Sequence, residues 1–413
     1  MHFIIRESFD LGIDRPLGPI SERRLSIVGG LMVAVGPLSI TMYTPAVPQI
    51  VIDLGTTEAA LKGTISVFFA GFALAQLVCG TLSDGLGRRP VALAFFAFYV
   101  LATLVALVAP TIEVLMAARL MQGIGAAAGI SISRALVRDM FTGQQSSRLL
   151  NAMAIIIAAG PAVAPTLGSI ALLFGGYHAI FLLMLFHGLS VIGLIYFLVP
   201  ETVSFDPGRI RLKRLVATFG ALFKSREFLL PTIAVSGVTG SIYGQATLLP
   251  FILITRVGMT PLQFGMSMFM QSGMYMLGSL SARYWLHRVD AVRLVPFGLI
   301  VTAFGAAVLA FDVFMLEPGF FSIMVPVALI AFGSAHSNPC FMTASFSPFP
   351  TAAGAASSLN GFMQLATGFL AGMLAIFIGD PLIAMGIVIP GLIAIGCICG
   401  LIWYGANAHQ SPV

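Results

Sequence analysis

Apolar runs of about twenty residues recur along almost the whole chain, and they limit what it can become. Twenty residues at 1.5 Å each cross a ~30 Å hydrocarbon core as one helix. Helices satisfy their own backbone polar groups, which open strands and loops cannot do in lipid. Only 9% of the 413 residues are charged and 58% are hydrophobic, where soluble domains carry about 25% charge. A soluble fold of this size could not hide so much apolar surface, because most of any folded surface still faces water. The expected class is an all-α integral membrane protein embedded in a lipid bilayer.

Gly, Pro and charge punctuation divides the runs into twelve transmembrane helices. The longest polar interruption falls between the sixth and seventh, which splits the chain into two pseudo-symmetric six-helix halves. The expected boundaries are an N-terminal segment 1–24, a first half 25–199, a central loop 200–227, a second half 228–405 and a tail 406–413. With both termini cytoplasmic, Arg88, Arg89, Arg134, Arg138, Arg148 and the central-loop cluster Arg209 to Arg226 all fall on the cytoplasmic side. The opposite side receives only Lys62 and Arg256. That asymmetry follows the positive-inside rule. It also accounts for the net charge of +5, so nucleic acid is not an expected partner. Cys79, Cys340, Cys397 and Cys399 all lie within apolar runs, which argues against disulfides and against a metal site. The halves repeat weakly: "GTLSDGLGRR" is echoed by "GSLSARYWLHR", and "LNAM" by "LNGF". Such internal symmetry points to a transporter with its site between the repeats.

Three stretches carry a family resemblance. "GTLSDGLGRRP" supplies Gly80, Asp84, Gly87, Arg88 and Arg89 at the membrane edge. This resembles the signature loop of the major facilitator superfamily, G-x-L-x-D-x-x-G-R-R/K. The resemblance implies a latch in which Asp84 ties to the start of the eleventh helix, around Thr351 to Gly354, and to Arg134 or Arg138. In the fourth helix, "RLMQGIGAAAG" is similar to the superfamily motif R-x-x-Q-G-x-G-A-A, whose arginine is linked to proton transfer. In the fifth, "AAGPAVAPTLGS" places Gly160, Pro161, Pro165 and Gly168 in a bend that looks like the exporters' antiporter motif. With "YTPAVPQI" and "RALVRDMF", these motifs resemble the bicyclomycin/chloramphenicol resistance (Bcr/CflA) branch of drug:proton antiporters. The fold implied is the major facilitator fold, and the activity implied is drug efflux.

Arg119 sits roughly 12 Å into the fourth helix at 1.5 Å per residue, where a charge costs about 2.5–3.5 kcal/mol. Arg119, Gln122, Ala126, Gly129 and Ser133 share one helical face, so Arg119 and Gln122 are expected to line a central cavity. The branch typically reads T-D-M-Y-x-P in the first helix, but this chain reads "ITMYTP", with Thr41 in the acid's place beside Tyr43. No acidic residue falls mid-span. His336 becomes the leading candidate for proton coupling, because imidazole titrates near neutrality; His178 and His187 are weaker ones. Tyr243, Gln245, Gln271 and Tyr275, with several methionines, complete the expected cavity.

The expected function is export of small amphipathic compounds by alternating access, in exchange for protons, from a bacterial inner membrane. The expected substrates are neutral, zwitterionic or anionic, and the working unit is a monomer. A facilitator or importer of a small metabolite is the alternative, suggested by the missing acid. An embedded enzyme is disfavoured, since the histidines are scattered and no catalytic cluster is visible. No cofactor or metal is expected, and no Walker-type ATP site occurs in the sequence.

Overall fold

The computed structural model describes residues 20–407, apart from 211, 350 and 351. The first half holds α1 (Glu22–Thr41), the short α2 (Val47–Asp53), α3 (Glu58–Leu86), α4 (Arg88–Leu107), α5 (Ile112–Met140) and α6 (Gly143–Leu198). After α7 (Leu212–Lys224) come α8 (Arg226–Pro250), α9 (Pro261–Leu286), α10 (Ala291–Met315), α11 (Phe320–Phe346), α12 (Ala353–Ile378) and α13 (Pro381–Asn407). Among the described residues, ten stretches are long and apolar enough to cross a membrane. Two more crossings bring the number to the expected twelve. One comes from α6, whose backbone breaks at Gly175 and Gly176, the latter at φ +60. The other is α9, 26 residues long, packed between α6 and α11.

Capping residues set where the crossings start. Thr57, Thr111 and Thr260 each accept a backbone hydrogen bond at a helix N-terminus, which satisfies donors that helices leave open. Within α5, Gly123 lies against the Phe68 carbonyl and Gly129 against that of Met32, with no space for a Cβ at either. Small residues therefore let α5 press on α3 and α1, the usual basis of close helix packing in lipid.

The two halves pack alike. In the first, α3 packs on α5, α4 on α5 and on α6, and α1 on α6; in the second, α9 packs on α11, α10 on α11 and on α13, and α8 on α12. The pairings correspond one to one after a shift of six crossings. One end of the bundle holds Glu22, the 199–226 segment and Asn407, and we call it the basic end. The opposite, far end holds the 54–57, 257–260 and 379–380 turns.

The halves meet along two seams, α3 with α12 and α6 with α9. At the far end Lys62 donates from Nζ to the Gly379 carbonyl at 3.2 Å, and its ammonium lies 5.0 Å from the Phe251 ring centre. Midway, the rings of Phe69 and Tyr243 are 5.0 Å apart. On the second seam Ser169 Oγ is 2.7 Å from the Pro261 carbonyl.

Candidate functional site

Arg119 is completely buried, as is Gln122. Its Nη1 donates to Gln122 Oε1 at 2.9 Å and its Nη2 to the Ser39 carbonyl at 3.1 Å. The guanidinium carbon is 4.5 Å from the ring centres of both Tyr43 and Phe68. Gln122 passes the network on, donating to Thr103 Oγ1 at 2.8 Å, and Thr103 donates to the Tyr99 carbonyl at 2.7 Å. Tyr99 and Ser39 hydroxyls then meet at 2.6 Å, so the chain of bonds returns to α1. Tyr43 OH is held separately, 3.0 Å from Thr64 Oγ1.

Magnitudes explain how a charge survives there. Hydrogen bonds to a charged group contribute about 1.5–3 kcal/mol each, and a desolvated cation–π contact about 2. Two such bonds and two ring faces offset the ~2.5–3.5 kcal/mol insertion cost without a counter-ion. Among the described residues every carboxylate lies at a helix end or in a connecting segment. Arg119 Nε has no hydrogen-bond partner. Arg119 and Gln122, expected to line a central cavity, are both without solvent exposure and lie enclosed inside the first half. The i, i+3 spacing correctly joined them to each other. Ser39, Phe68, Tyr99 and Thr103 were missed, because their helices become neighbours of α5 only through the order of the bundle.

The other expected cavity residues do not gather around Arg119. Thr41 spends its hydroxyl on the Pro37 carbonyl of its own helix, at 2.8 Å. Gln271 donates to Gln245 Oε1 at 2.7 Å, a buried pair inside the second half whose Gln245 Nε2 lacks a partner. Tyr243 stands on the seam against Phe69, and Tyr275 is half-buried on α9. His336 belongs to neither group. Its ring nitrogens lie 3.0 Å from the Phe332 carbonyl and 3.2 Å from Ser281 Oγ, between the rings of Phe297 and Phe332. Both nitrogens are thus engaged within the α9–α10–α11 packing. His187 contacts the Leu31 carbonyl.

The signature loop is differently wired from the expected latch. Asp84 pairs with Arg88 across the Gly87 turn, rather than with Arg134 or Arg138. Arg88 Nε reaches Asp139 Oδ2 at 2.9 Å, and Thr202 Oγ1 donates to the same oxygen at 2.9 Å. Glu201 accepts from the backbone amides of Arg88 and Arg89, at 2.9 and 3.1 Å, capping α4 where its dipole favours an anion. Gly87, at φ +99, faces that carboxylate. Asp206 N donates to the Gly85 carbonyl at 2.8 Å, and Arg89 Nη2 to the Tyr196 carbonyl at 2.6 Å. Gly80 has open space around it. Thr351, one of the latch's expected partners, lies outside the described residues. The loop is therefore tied to the end of α5 and the segment after α6. Asp139 and Glu201 were missed; a lone acid directly after the helix-ending Pro200 was the available signal.

In α6, Gly168 backs onto the Met42 carbonyl and Gly160 onto Pro37 of α1. Pro165 and its neighbour Ser169 press against Gly265 at the start of α9, and Ser169 Oγ is shared between the Pro165 and Pro261 carbonyls, each at 2.7 Å. Pro161 sits between, within the same bent arm. This proline-containing stretch thus makes both the α1 contact and one inter-half seam. No group of three or more His, Cys, Asp or Glu among the described residues could hold a metal.

Twelve crossings in two matching halves, a cation buried inside the first of them and a proline-containing helix on one seam fit a membrane transporter. The chain belongs to the Major Facilitator Superfamily, whose sequence profile matches residues 29–372. It is 30% identical to "Multidrug resistance protein MdtL" of Shewanella sp. (strain ANA-3), over 82% of this chain and 85% of that one. It is 27% identical to the "Bicyclomycin resistance protein homolog" of Haemophilus influenzae, over 84% and 87%. These relatives agree with the expected Bcr/CflA branch. Among solved structures, a D-xylose–proton symporter superposes with a TM-score of 0.68 at 14% identity, over 92% of this chain and 96% of that one, a likeness of fold.

Proposed function

We propose that this chain exports small amphipathic compounds from a bacterial cytoplasm across the inner membrane, by alternating access and in exchange for protons, as a monomer. The basic end is the cytoplasmic end, in keeping with the positive-inside rule, and both termini face it. The halves 25–199 and 228–405 rock against each other along the two seams, with 200–227 as the link. The resistance names of the relatives and the bent α6 arm support export.

The observation that carries the substrate preference is Arg119, a buried cation balanced only by neutral oxygens and ring faces. Arg119 itself is fully buried, so it acts through its uncompensated positive field, which favours neutral, zwitterionic or anionic solutes and disfavours lipophilic cations. The test is drug susceptibility of an efflux-deficient host expressing the chain, with Arg119→Ala and Asp84→Asn alongside. Resistance to uncharged or anionic compounds, lost in Arg119→Ala, is the expected result. Preferential export of ethidium-like cations, undiminished by that substitution, would overturn it.

A second reading, a facilitator of a metabolite, is favoured by Thr41: its hydroxyl is already bonded to Pro37, and no described carboxylate lies mid-span. Everted vesicles separate the two. An exchanger moves protons when substrate is added, and a facilitator does not.

A further inference from the structure

We propose that α7 is an in-plane membrane helix that binds the anionic phospholipid headgroups at the basic end. One of its faces is occupied: Leu222 is buried, and with Phe219 it packs on Phe228, Ala356 and Leu359 of α8 and α12. The adjoining face is apolar and uncovered, with Val216 67% and Phe223 44% exposed. These two are seven residues apart and therefore stacked on one row. Lys213 and Lys224, eleven residues apart and also on one row, flank them and are exposed. The helix, "LKRLVATFGALFK", holds no acidic residue, and no described carboxylate is within ion-pair distance of either lysine.

Depth selects the occupant. Lys224 is separated by Ser225 alone from Arg226, which begins the crossing α8. The chain therefore holds α7 at the level where acyl chains give way to headgroups. An apolar row edged by lysines is the pattern of interfacial helices, whose apolar side enters the acyl boundary while ammonium groups reach upward. Each lysine near an anionic surface is worth on the order of a fivefold preference. Because Phe219 and Leu222 fix α7 to the second half, the bound lipids ride with that half.

The test uses the full chain in nanodiscs of phosphatidylcholine with or without phosphatidylglycerol, carrying a fluorophore at Val216→Cys with Cys79, Cys340, Cys397 and Cys399 replaced by Ala. Acyl-brominated lipid of either type should quench the label. Brominated phosphatidylglycerol should quench in several-fold excess over its mole fraction, and Lys213→Gln with Lys224→Gln should remove that excess while leaving the rest. No quenching by either lipid, as when protein or a second copy covers the face, overturns the proposal. Equal quenching per mole, insensitive to the lysines, overturns the headgroup preference. Hydrogen exchange of the unmodified chain provides a second measurement. The 212–224 amides should exchange several-fold more slowly with phosphatidylglycerol present, and an unchanged rate counts against the proposal.

Discussion

Arg119 is held by groups that a hydrophobic side chain would not need. Removing a buried charge that lacks a counter-ion removes its desolvation cost as well as its contacts. Arg119→Met should therefore melt at or above the parent's temperature while transport falls at least about tenfold, or ~1.4 kcal/mol. A melt lowered in step with transport would mark the residue as structural. Much of this site was legible: a lone arginine in an apolar run and a glutamine three residues on had to be buried together. The ring of Ser39, Tyr99 and Thr103 was not, since lateral neighbours are decided by helix order. His336 misled for the opposite reason. A titratable type was visible in the sequence, but the Phe332 carbonyl and Ser281 hydroxyl that occupy its nitrogens come from packing.

At the scale of elements, turns carry the strain and the charge. Gly87 holds φ +99 and ψ 145, a region that costs other residues about 1–3 kcal/mol, and the Glu201 carboxylate fills the space where a Cβ would sit. Gly87→Ala should lower the melting temperature by an equivalent amount, measured against Gly80→Ala, which has open space and serves as the control. At the turn before α13, Asp380 caps Leu382 and Ile383 and pairs with Arg256. Partial burial pushes its carboxyl up, but the Ile383 and Leu382 amides and the Arg256 guanidinium outweigh this and hold it below its ordinary 3.8. Its stabilising contribution is therefore complete above that ordinary value and is lost as pH falls through the depressed one. Melting curves from pH 7 downward should show an acid limb that Asp380→Asn flattens. The helix spans themselves were readable from hydropathy. The wiring of the signature loop was not, because Glu201 lies more than a hundred residues from the amides it caps.

For the whole molecule, the two exceptions to the charge asymmetry are the informative cations. Lys62 and Arg256 both stand at the far end, and Lys62 bonds one half to the other. A charged hydrogen bond of about 1.5–3 kcal/mol is enough to bias two arrangements of the halves by tenfold or more. Spin labels at Glu113→Cys and Glu317→Cys, one on each half, should show longer far-end distances when Lys62→Met is added. Shorter distances would mean that the apolar side chain seals the seam against Phe251 better than the ammonium does. Two six-helix halves could be anticipated from the internal echo of the signature loop, whereas the seams depend on Ser169 and Gly265, ordinary residues in any sequence reading, and on Tyr243, expected in the cavity but found against Phe69.

The break at Gly175 and Gly176 bears on how the chain is made. Arg148 meets Glu22 and Tyr196 meets Arg89, both at the basic end, so the two arms of α6 run in opposite directions with only two glycines to turn on. There is no hydrophilic loop there to be carried across the bilayer. The proline-containing arm and the strongly apolar arm behind it should consequently enter the membrane as one hairpin, with the second supplying the greasiness that the first, with its two prolines, lacks. A ribosome stalled after residue 174 should thus hold an arm still waiting for its partner.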